Sequence, residues 1–310
     1  MNILVTGYEG FLGNSLVGRL KSLENLVVGF DKGENKNLKY TPDVVVNGDI
    51  RDTDLLKKVV ADYKIQEVYH FAGQAIAGKC FDNPYGAFDI NVMGIVSLFE
   101  ACRTSRSIRS IVVSNSNKIF GDSPAPYNEE TLIKPKHVYD TTKACQRLVS
   151  LCYFHDFQLP IKVMICTNIY GPGDLNLTTR VIPNNITRLL NGDKAQLGDA
   201  VRKYEKEFIY IDDAIEAFMT IARKGKSGEV YCCGGTTPIS LEDLIKKICE
   251  LTGKRFPEDV ESFTKPMQFT EATVQSMNVK KLKSLGWEPK VTLEEGLTRT
   301  IDYYRQLLKK

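Results

Sequence analysis

The side chains of Tyr139 and Lys143, four positions apart, are the pair in this sequence best suited to proton transfer. Residues at this spacing share one face of a helix. A tyrosine has an ordinary pKa of about 10, but a neighbouring ammonium favours the phenolate and lowers that pKa. Ser116 ends a predicted strand region, where its hydroxyl could orient a substrate oxygen. Together the three residues predict a site that removes the proton of a substrate hydroxyl.

A glycine-rich loop at residues 6–13 reads T-G-x-x-G-F-x-G, directly after an apolar run and before a helical pattern. Gly7 permits a sharp turn, Gly10 lets the backbone approach a pyrophosphate, and Gly13 lets the helix pack closely on the strand. The start of the helix offers N–H groups and a positive dipole end to the phosphates. The loop therefore predicts a dinucleotide site, with contacts expected at Gly7, Gly10, Phe11, Leu12 and Gly13.

An acidic residue, Asp31, closes the second apolar run. There it would accept hydrogen bonds from the adenosine ribose and repel a 2′-phosphate, which favours NAD over NADP. The neighbouring Lys32 weakens that preference. Asp49 and Ile50 follow the third apolar run, where the adenine would lie, and a helix N-cap is the alternative role for Asp49.

An oxidised nicotinamide would complete the chemistry expected of Tyr139. Its positive charge adds to that of Lys143, so that the phenolate forms more readily. Tyr139 would then take the proton of a substrate hydroxyl while hydride leaves the same carbon.

The elements that position these residues alternate between strand-like and helix-like patterns. Continuous apolar strands separated by helices predict a doubly wound parallel α/β sheet covered on both faces, the Rossmann arrangement, with NAD at its carboxyl edge. Strands are predicted at 2–6, 26–30, 44–46, 67–71, 108–113 and 161–166, and helices at 11–21, 53–63, 84–102 and 139–157.

The pattern changes after about residue 168, where Gly, Pro and Asn cluster and the elements become shorter. We therefore predict an NAD-binding domain at 1–170 and a smaller mixed α/β domain at 171–310, which would bind the substrate. The segment of about 206–232 is expected to return to the first domain.

The composition excludes several classes of protein. Among 310 residues, 41 Lys and Arg are scattered against 38 Asp and Glu, which argues against a nucleic-acid-binding protein. None of the eight cysteines forms a C-x-x-C pair, and the three histidines lack metal-ligand spacing, so we expect buried reduced thiols and no metal site. With no N-terminal signal pattern and no apolar run of about 20 residues, the sequence predicts a cytoplasmic protein that crosses no membrane.

The sequence resembles the extended short-chain dehydrogenase/reductase family, and within it the nucleotide-sugar epimerases and 4,6-dehydratases. The similarity covers nearly the whole chain, down to Leu-Gly-Trp at 285–287. It rests on TGYEGFLG (6–13), Asp31, GDI (48–50), HFAGQA (70–75), NVMG (91–94), SNSNKIFG (114–121), YDTTK (139–143), NIYGPGD (168–174) and FIYIDD (208–213).

This resemblance implies a tightly bound NAD that is recycled within one turnover. It implies that Tyr139 is the base, Lys143 its partner and Ser116 the residue that orients the hydroxyl. It also implies that Asn168 touches the diphosphate of a nucleotide-sugar substrate bound between the domains. Members usually pair through two long helices, here 84–104 and 139–157, so a homodimer is expected. Further cofactor contacts are expected at Phe71, Ala72, Gly73 and Ser114.

The arginine that binds a substrate phosphate in the family is replaced here. The usual Arg-Asp-Phe reads Lys206-Glu207-Phe208, and a lysine cannot make the bidentate contact of an arginine. Arg180, Arg202 or Lys203 could take the phosphate instead. An exposed surface charge is the alternative role for each, and we favour it for Lys203.

The two residues after Ser116 bear on the reaction that follows C4 oxidation. Lys118 resembles the Ser-Asp-Lys pattern of CDP-glucose 4,6-dehydratases, as do Gln74, which is expected to contact substrate, NVMG at 91–94 and the stretch 173–183. Asn117 departs from that pattern, because an amide cannot act as a general acid near neutral pH. Lys118 could be a base if burial lowers its pKa, or could bind a carbonyl or a substrate phosphate.

Several functions remain open on the sequence. A 4,6-dehydratase that finds its acid elsewhere and a 4-epimerase are nearly equal, because the one missing acid offsets the several resemblances to dehydratases. HFAG at 70–73 also resembles UDP-galactose 4-epimerases. A C4 dehydrogenase or reductase is a third possibility. A non-catalytic NAD-binding sensor or scaffold is the most distant one, because such proteins usually lose the tyrosine or the lysine, and both Tyr139 and Lys143 are present.

Overall fold

The computed structural model describes residues 1–33, 38–235, 237–264 and 272–309. Its strands are β1 (Asn2–Thr6), β2 (Leu26–Asp31), β3 (Val44–Asn47), β4 (Glu67–His70), β5 (Ser110–Ser116), β6 (Ile161–Cys166), β7 (Asn168–Tyr170), β8 (Ala195–Gly198), β9 (Glu205–Lys206), β10 (Phe208–Tyr210), β11 (Val230–Cys233), β12 (Ile239–Ser240), β13 (Val260–Phe263) and β14 (Val274–Gln275).

Its α-helices are α1 (Phe11–Lys21), α2 (Thr53–Asp62), α3 (Ala77–Asp82), α4 (Pro84–Phe88), α5 (Gly94–Arg103), α6 (Val138–Phe157), α7 (Val181–Leu190), α8 (Ile211–Lys224), α9 (Leu241–Thr252), α10 (Lys280–Lys283) and α11 (Leu293–Leu307). A π-helical turn (Asp89–Met93) joins α4 to α5, and short 3₁₀ helices lie at Asn117–Phe120 and Asp199–Val201.

A seven-stranded parallel sheet in the order β3-β2-β1-β4-β5-β6-β11 forms the centre of the molecule. The strand order reverses between β1 and β4, where Thr6 pairs with Phe30 on one side and His70 on the other. Connections leave the two strands in opposite directions, which opens a crevice at their carboxyl ends. The predicted doubly wound fold is confirmed, and the crevice is where the glycine-rich loop lies.

The two faces of the sheet are buried in two separate apolar clusters. Successive side chains of a strand point to opposite faces, so Ile3 and Val5 enter one cluster and Leu4 enters the other. All eight cysteines are described and free, and most are buried, as the sequence predicts. The apolar runs are continuous because helices cover both faces.

Most predicted elements match the structure closely, and β5 is the informative difference. It runs over Ser110–Ser116 instead of ending at residue 113, so Ser116 is the last residue of the strand. The predicted helix at 84–102 is present as α4, the π turn and α5.

The chain after β6 builds smaller sheets, with β10 beside β7, β12-β9-β14 together, and β13 beside β8. Part of this later chain returns to the large sheet, because α8 packs on β5 and β6, and β11 pairs with β6. The predicted boundary near residue 170 stays a prediction. Across the described residues, no helix is both long and apolar enough to cross a membrane.

Candidate active site

The glycine-rich loop connects β1 to α1 by a turn that only glycine accommodates at its two tightest points. Gly7 has a φ of +74°, and a Cβ added there would lie 2.5 Å from the backbone nitrogen of Ala72. A Cβ on Gly13 would lie 2.1 Å from the carbonyl oxygen of Gly7. Helix α1 carries no acidic residue in its first turn. The loop therefore offers an anion a close backbone approach and the positive end of a helix dipole.

The carboxylate of Asp31 is fixed above this loop at the end of β2. Its Oδ2 accepts a hydrogen bond from the backbone nitrogen of Glu9 (2.9 Å), and its Oδ1 accepts one from that of Lys32 (2.9 Å). Asp31 thus lies where the ribose of a dinucleotide is expected. The side chain of Lys32 is exposed.

Asp49 lies beside β3 as predicted, but its partner is Arg51. The Arg51 Nε donates to Asp49 at 2.8 Å, and this contact is the main reason that the pKa of Asp49 falls to about 2. The N-cap of α2 is instead Asp52, whose side chain accepts from Leu55 N at 2.9 Å. The N-cap role considered for Asp49 is therefore wrong. Ile50 is buried and packs against Gly94 at the start of α5.

Residues after β4 and β5 form the other wall of the crevice. The backbone nitrogen of Phe71 donates to Thr6 O at 3.0 Å, and Ala72 follows against the glycine loop. Gly73 has a φ of +156°. Ser114, near the end of β5, turns its carbonyl oxygen toward α6. The structure thus gathers these expected cofactor contacts around one crevice.

Tyr139 lies on the first turn of α6, where its phenol is close enough to the Ser116 hydroxyl for that group to affect its pKa. Burial raises the pKa of Tyr139, while the Ser116 side chain and the charges of Lys118 and Arg180 lower it. The cations that act on Tyr139 are thus Lys118 and Arg180, whereas the sequence analysis expected Lys143 in this role, and burial outweighs both charges in the protein alone. The pair can orient a substrate hydroxyl and exchange its proton.

Lys143 lies one turn further along α6. Its Nζ donates to the carbonyl oxygen of Ser114 at 3.1 Å, and burial lowers its pKa to about 8. Asn115 fixes the same turn, since its Nδ2 donates to Lys143 O at 2.8 Å. These contacts place the Lys143 ammonium at the carboxyl end of β5.

Asn117 and Lys118 begin the 3₁₀ helix directly after Ser116. Asn117 is 5% exposed, and its Nδ2 has no hydrogen-bond partner among the residues that the structure describes. The backbone nitrogen of Lys118 donates to Ser116 Oγ at 3.3 Å, and the charge of its side chain acts on both Tyr139 and Asp140. Lys118 thus belongs to the site, whereas Asn117 brings a buried amide to the neighbouring position.

Asn91 organises the site, although the sequence analysis used it only as part of a motif. Its Oδ1 accepts from Gln74 N (2.7 Å), and its Nδ2 donates to Thr142 Oγ1 (2.9 Å). Gln146 Nε2 donates to Asn91 O at 2.8 Å. These contacts join the loop at Gln74 to the Lys143 turn. The π-helical turn at Asn91 could not be recognised from the periodicity.

Arg180 is an expected substrate contact whose charge acts on Tyr139. It immediately precedes α7, its Nη1 lies 3.5 Å from Asp174 Oδ2, and its charge lowers the Tyr139 pKa. Gln74 also lies by the crevice, with its Oε1 accepting from Ile76 N at 3.2 Å.

The other expected substrate contacts are engaged within the protein. Arg202 lies 3.2 Å from Glu242 and 3.0 Å from Ser262, so its guanidinium is held away from Tyr139 by local partners. Asn168 Nδ2 donates to Glu207 O at 3.0 Å. Lys206 is buried, with its Nζ 3.4 Å from Ala272 O. Their predicted roles in substrate binding stay predictions.

Comparison with known proteins places this fold and site in one family. The model of the GDP-mannose 4,6 dehydratase family matches residues 4–300. The chain belongs to this family. The resemblance to extended short-chain dehydrogenases/reductases is confirmed.

Relatives in the family include dehydratases from plants and animals. A trifunctional UDP-glucose 4,6-dehydratase/UDP-4-keto-6-deoxy-D-glucose 3,5-epimerase/UDP-4-keto-L-rhamnose-reductase of Arabidopsis thaliana is 30% identical over 98% of this chain and 47% of its own length. This chain thus spans about half the length of that protein. The dTDP-D-glucose 4,6-dehydratase of Homo sapiens is 28% identical over 98% of this chain and 90% of its own.

The solved structures similar to this protein include a 4,6-dehydratase and a 4-epimerase. The dTDP-glucose 4,6-dehydratase of Bacillus anthracis in complex with NAD has a TM-score of 0.88, 29% identity, and coverage of 100% of this chain and 98% of its own. The UDP-glucose 4-epimerase of Thermotoga maritima with UDP-glucose has a TM-score of 0.92, 25% identity, and coverage of 99% and 100%.

Proposed function

We propose that this protein is an NAD-dependent nucleotide-sugar epimerase/dehydratase that oxidises the C4 hydroxyl of the sugar. The observation that carries the proposal is the placement of Tyr139, on the first turn of α6, beside Ser116 at the carboxyl end of β5, the sheet edge that also holds the glycine-rich loop. A base and an orienting hydroxyl at this place suit the removal of a hydroxyl proton next to a dinucleotide.

The residues around the crevice fit NAD. Cβ atoms on Gly7 and Gly13 would collide with protein backbone at 2.5 and 2.1 Å, so only glycine permits the tight turn and the close helix packing of a pyrophosphate-binding loop. Asp31 offers its carboxylate to the adenosine ribose and repels a 2′-phosphate, as NAD requires. When bound, NAD supplies the acceptor for the hydride of C4. The relatives of known structure that contain NAD support this assignment.

The chain itself handles the C4 hydroxyl and its proton. Ser116 orients the hydroxyl oxygen, and the Tyr139 phenolate takes the proton. Lys118 and Arg180 stabilise that phenolate through their charges. Lys143 donates a hydrogen bond to Ser114 O and so fixes the end of β5 against α6.

We favour 4,6-dehydration as the reaction that follows, because the family model and the plant and animal relatives are dehydratases. Dehydration requires a base after C4 oxidation. Lys118, whose charge acts on Tyr139, is the candidate for that base. 4-Epimerisation is the second candidate. The observation in its favour is Asn117, because its buried amide cannot protonate a leaving hydroxyl.

Two further parts of the proposal concern the organisation of the molecule. Residues 1–170, together with about 206–232, would bind NAD, while the rest of 171–310 would bind the nucleotide sugar, with Arg180 on its polar groups. Helices α4–α5 and α6 pack side by side and carry exposed apolar side chains, which supports the expected homodimer. The cytoplasmic location stays a prediction.

Mass spectrometry of the protein incubated with UDP-, CDP-, GDP- and dTDP-sugars tests the function. Loss of water from one sugar identifies a dehydratase, an unchanged mass with a changed proton spectrum identifies an epimerase, and loss of two hydrogens identifies a dehydrogenase. Tyr139→Phe should lower the rate about 10²- to 10⁴-fold in each case. No hydride transfer with any of these sugars, and no effect of Tyr139→Phe, would contradict the proposal.

A further inference from the structure

Asp174 is a buried carboxylate in the loop between β7 and α7, and only 3% of the residue is exposed. Its Oδ1 accepts a hydrogen bond from the backbone nitrogen of Asn176 at 3.1 Å. Its Oδ2 is buried and accepts no hydrogen bond from the residues that the structure describes. A turn of this kind needs one oxygen acceptor, which an asparagine supplies equally well. The turn therefore does not explain why a carboxylate is buried here.

The charge of Asp174 has one ion-pair partner within the described part of the chain. Arg180 Nη1 lies 3.5 Å from the buried Oδ2, and it donates to the carbonyl oxygen of Ile169 in β7 at 3.4 Å. Tyr304 of α11 fixes the backbone of Asp174 by donating to its carbonyl oxygen. Because a buried charge without a partner is costly, the carboxylate favours the position in which the guanidinium stays beside it. Two contacts thus hold one edge of the Arg180 guanidinium.

The other edge of this guanidinium, formed by Nε and Nη2, is left without a protein acceptor in the ranges that the structure describes. The Arg180 side chain is 41% exposed, so a ligand can reach it. Two neighbouring guanidinium nitrogens match a phosphate or a carboxylate group in a bidentate contact. Arg180 therefore offers an anion a fork whose other side is already fixed.

The surroundings place this fork near the expected substrate and cofactor. Ile169, whose carbonyl oxygen holds the guanidinium, directly follows Asn168, which is predicted to contact the substrate diphosphate. Gly173, directly before Asp174, lies beside the glycine-rich loop, since an added Cβ there would be 3.8 Å from Cδ2 of Phe11. The segment that carries Asp174 therefore runs from the cofactor loop to the start of α7.

We propose that Asp174 is a positioning residue that holds one edge of the Arg180 guanidinium, so that the Nε–Nη2 edge is presented to a phosphate of the substrate. The identity of that anion rests on the proposed function, whereas the pairing of the two side chains is a property of the fold. Asp174 by itself repels a phosphate, because both are negatively charged. Its benefit to binding must therefore come through Arg180.

A double-mutant cycle of nucleoside diphosphate binding separates this role from other roles. Calorimetry with UDP, CDP, GDP and dTDP, on the full chain with oxidised NAD present, identifies the tightest ligand, which is then used throughout. Asp174→Asn keeps an acceptor for Asn176 N and removes the charge that holds Arg180. If Asp174 acted on the ligand only by repulsion, the affinity would rise. We expect the affinity to fall about tenfold.

Arg180→Met provides the second background, because it removes the guanidinium and keeps an apolar stem. There Asp174→Asn should not weaken binding, since no arginine is left to position. Equal weakening in both backgrounds, or no weakening in the wild-type background, overturns the proposal. Asp174→Asn should also leave the NAD affinity unchanged. A parallel loss of NAD affinity would show that the loop beside Phe11 is disturbed, and it would overturn the proposal as well.

Asp302→Asn is the matched control, because Asp302 pairs with Arg305 at 3.1 Å between two exposed side chains of α11. Loss of that ion pair should leave the diphosphate affinity unchanged. All titrations are made at pH 8 to keep the Asp174 carboxyl group ionised, since burial raises its pKa. Asp174→Ser, which also keeps an acceptor for the turn, replaces Asp174→Asn if that variant does not fold.

Absence of binding of all four diphosphates to the wild-type protein would contradict the proposed function and leave the pairing to be decided separately. The same cycle is then measured by urea denaturation of the chain alone. The change in urea midpoint caused by Asp174→Asn should differ between the wild-type and Arg180→Met backgrounds, because the second one buries the carboxylate without a cation. Equal changes in the two backgrounds would overturn the role of Asp174.

Discussion

Burial, more than any single neighbour, sets the protonation of the side chains around Tyr139. It raises the pKa of Tyr139, and it lowers that of Lys143 to about 8. His70, whose Nδ1 lies 2.8 Å from Thr6 Oγ1, shows the same effect. Burial and then the charge of Lys143 lower its pKa from 6.5 to about 3, so His70 is neutral at pH 7.

At the residue scale, His70→Gln should make stability less sensitive to acid. The unfolded chain gains a proton at this histidine near pH 6.5, whereas the folded protein does so near pH 3. The stability that neutral His70 contributes is therefore full above pH 6.5 and is lost as the pH falls toward 3. The loss amounts to about 5 kcal/mol. Urea denaturation at several pH values between 3 and 6.5 should show that the unfolding free energy changes less steeply with pH in the variant than in the wild-type protein.

His155→Gln is the control for this prediction, because His155 is exposed on α6. It should leave the slope as in the wild-type protein. Equal slopes in His70→Gln and the wild-type protein would show that His70 is not the source of the acid sensitivity.

The glycine loop, β1 and α1 behave as one element because their backbones touch. Gly7 N donates to Phe30 O at 2.9 Å, and Gly10 N donates to Gly7 O at 3.1 Å. The start of α1 is therefore placed by the same contacts that shape the loop. Any residue that pushes α1 away from β1 also moves the expected phosphate site.

At the element scale, Gly13→Ala should both destabilise the protein and weaken NAD binding. The new Cβ would lie 2.1 Å from Gly7 O, which is backbone and cannot rotate away. We expect a loss of about 2 kcal/mol in unfolding free energy, by urea denaturation, and a lower NAD affinity by calorimetry. Gly78→Ala in α3, where a Cβ meets nothing within 4 Å, is the matched control and should lower neither. Unchanged NAD affinity in Gly13→Ala would contradict the placement of the cofactor.

Helix α6 contributes both to the candidate active site and to an exposed apolar surface. Its first turns carry Tyr139 and Lys143, while Leu148 further along is 59% exposed. The neighbouring helices α4 and α5, joined by the π turn, expose Tyr85 (83%) and Met93 (50%). Apolar side chains exposed on helices that pack together are typical of an interface between subunits.

At the scale of the whole molecule, Leu148→Glu should separate the proposed homodimer. A buried carboxylate without a partner is costly, so the interface loses affinity. Sedimentation at micromolar concentration should give the mass of two chains for the wild-type protein and of one chain for the variant. Leu132→Glu, at an apolar residue that is 64% exposed outside these helices, should stay dimeric. A wild-type protein with the mass of one chain would contradict the homodimer.

The sequence by itself determined the type and order of the elements around the site. Alternating apolar runs and helical periodicity predict the parallel sheet, because they record which faces are buried. The glycine positions predict the loop, because Gly7 and Gly13 meet backbone atoms that leave no space for a side chain. Tyr139 and Lys143 are recognisable because four residues span one helical turn.

Only the tertiary structure decided which partners the charged side chains have. Arg51 contacts Asp89 far along the chain, and Arg202 meets Ser262. Local patterns do not encode such pairs, since they form when distant segments pack together and exclude water. The same holds for Lys118, whose charge acts on Tyr139 because the 3₁₀ helix packs on α6. The sequence thus determines the elements, and burial between distant segments determines how their charges act.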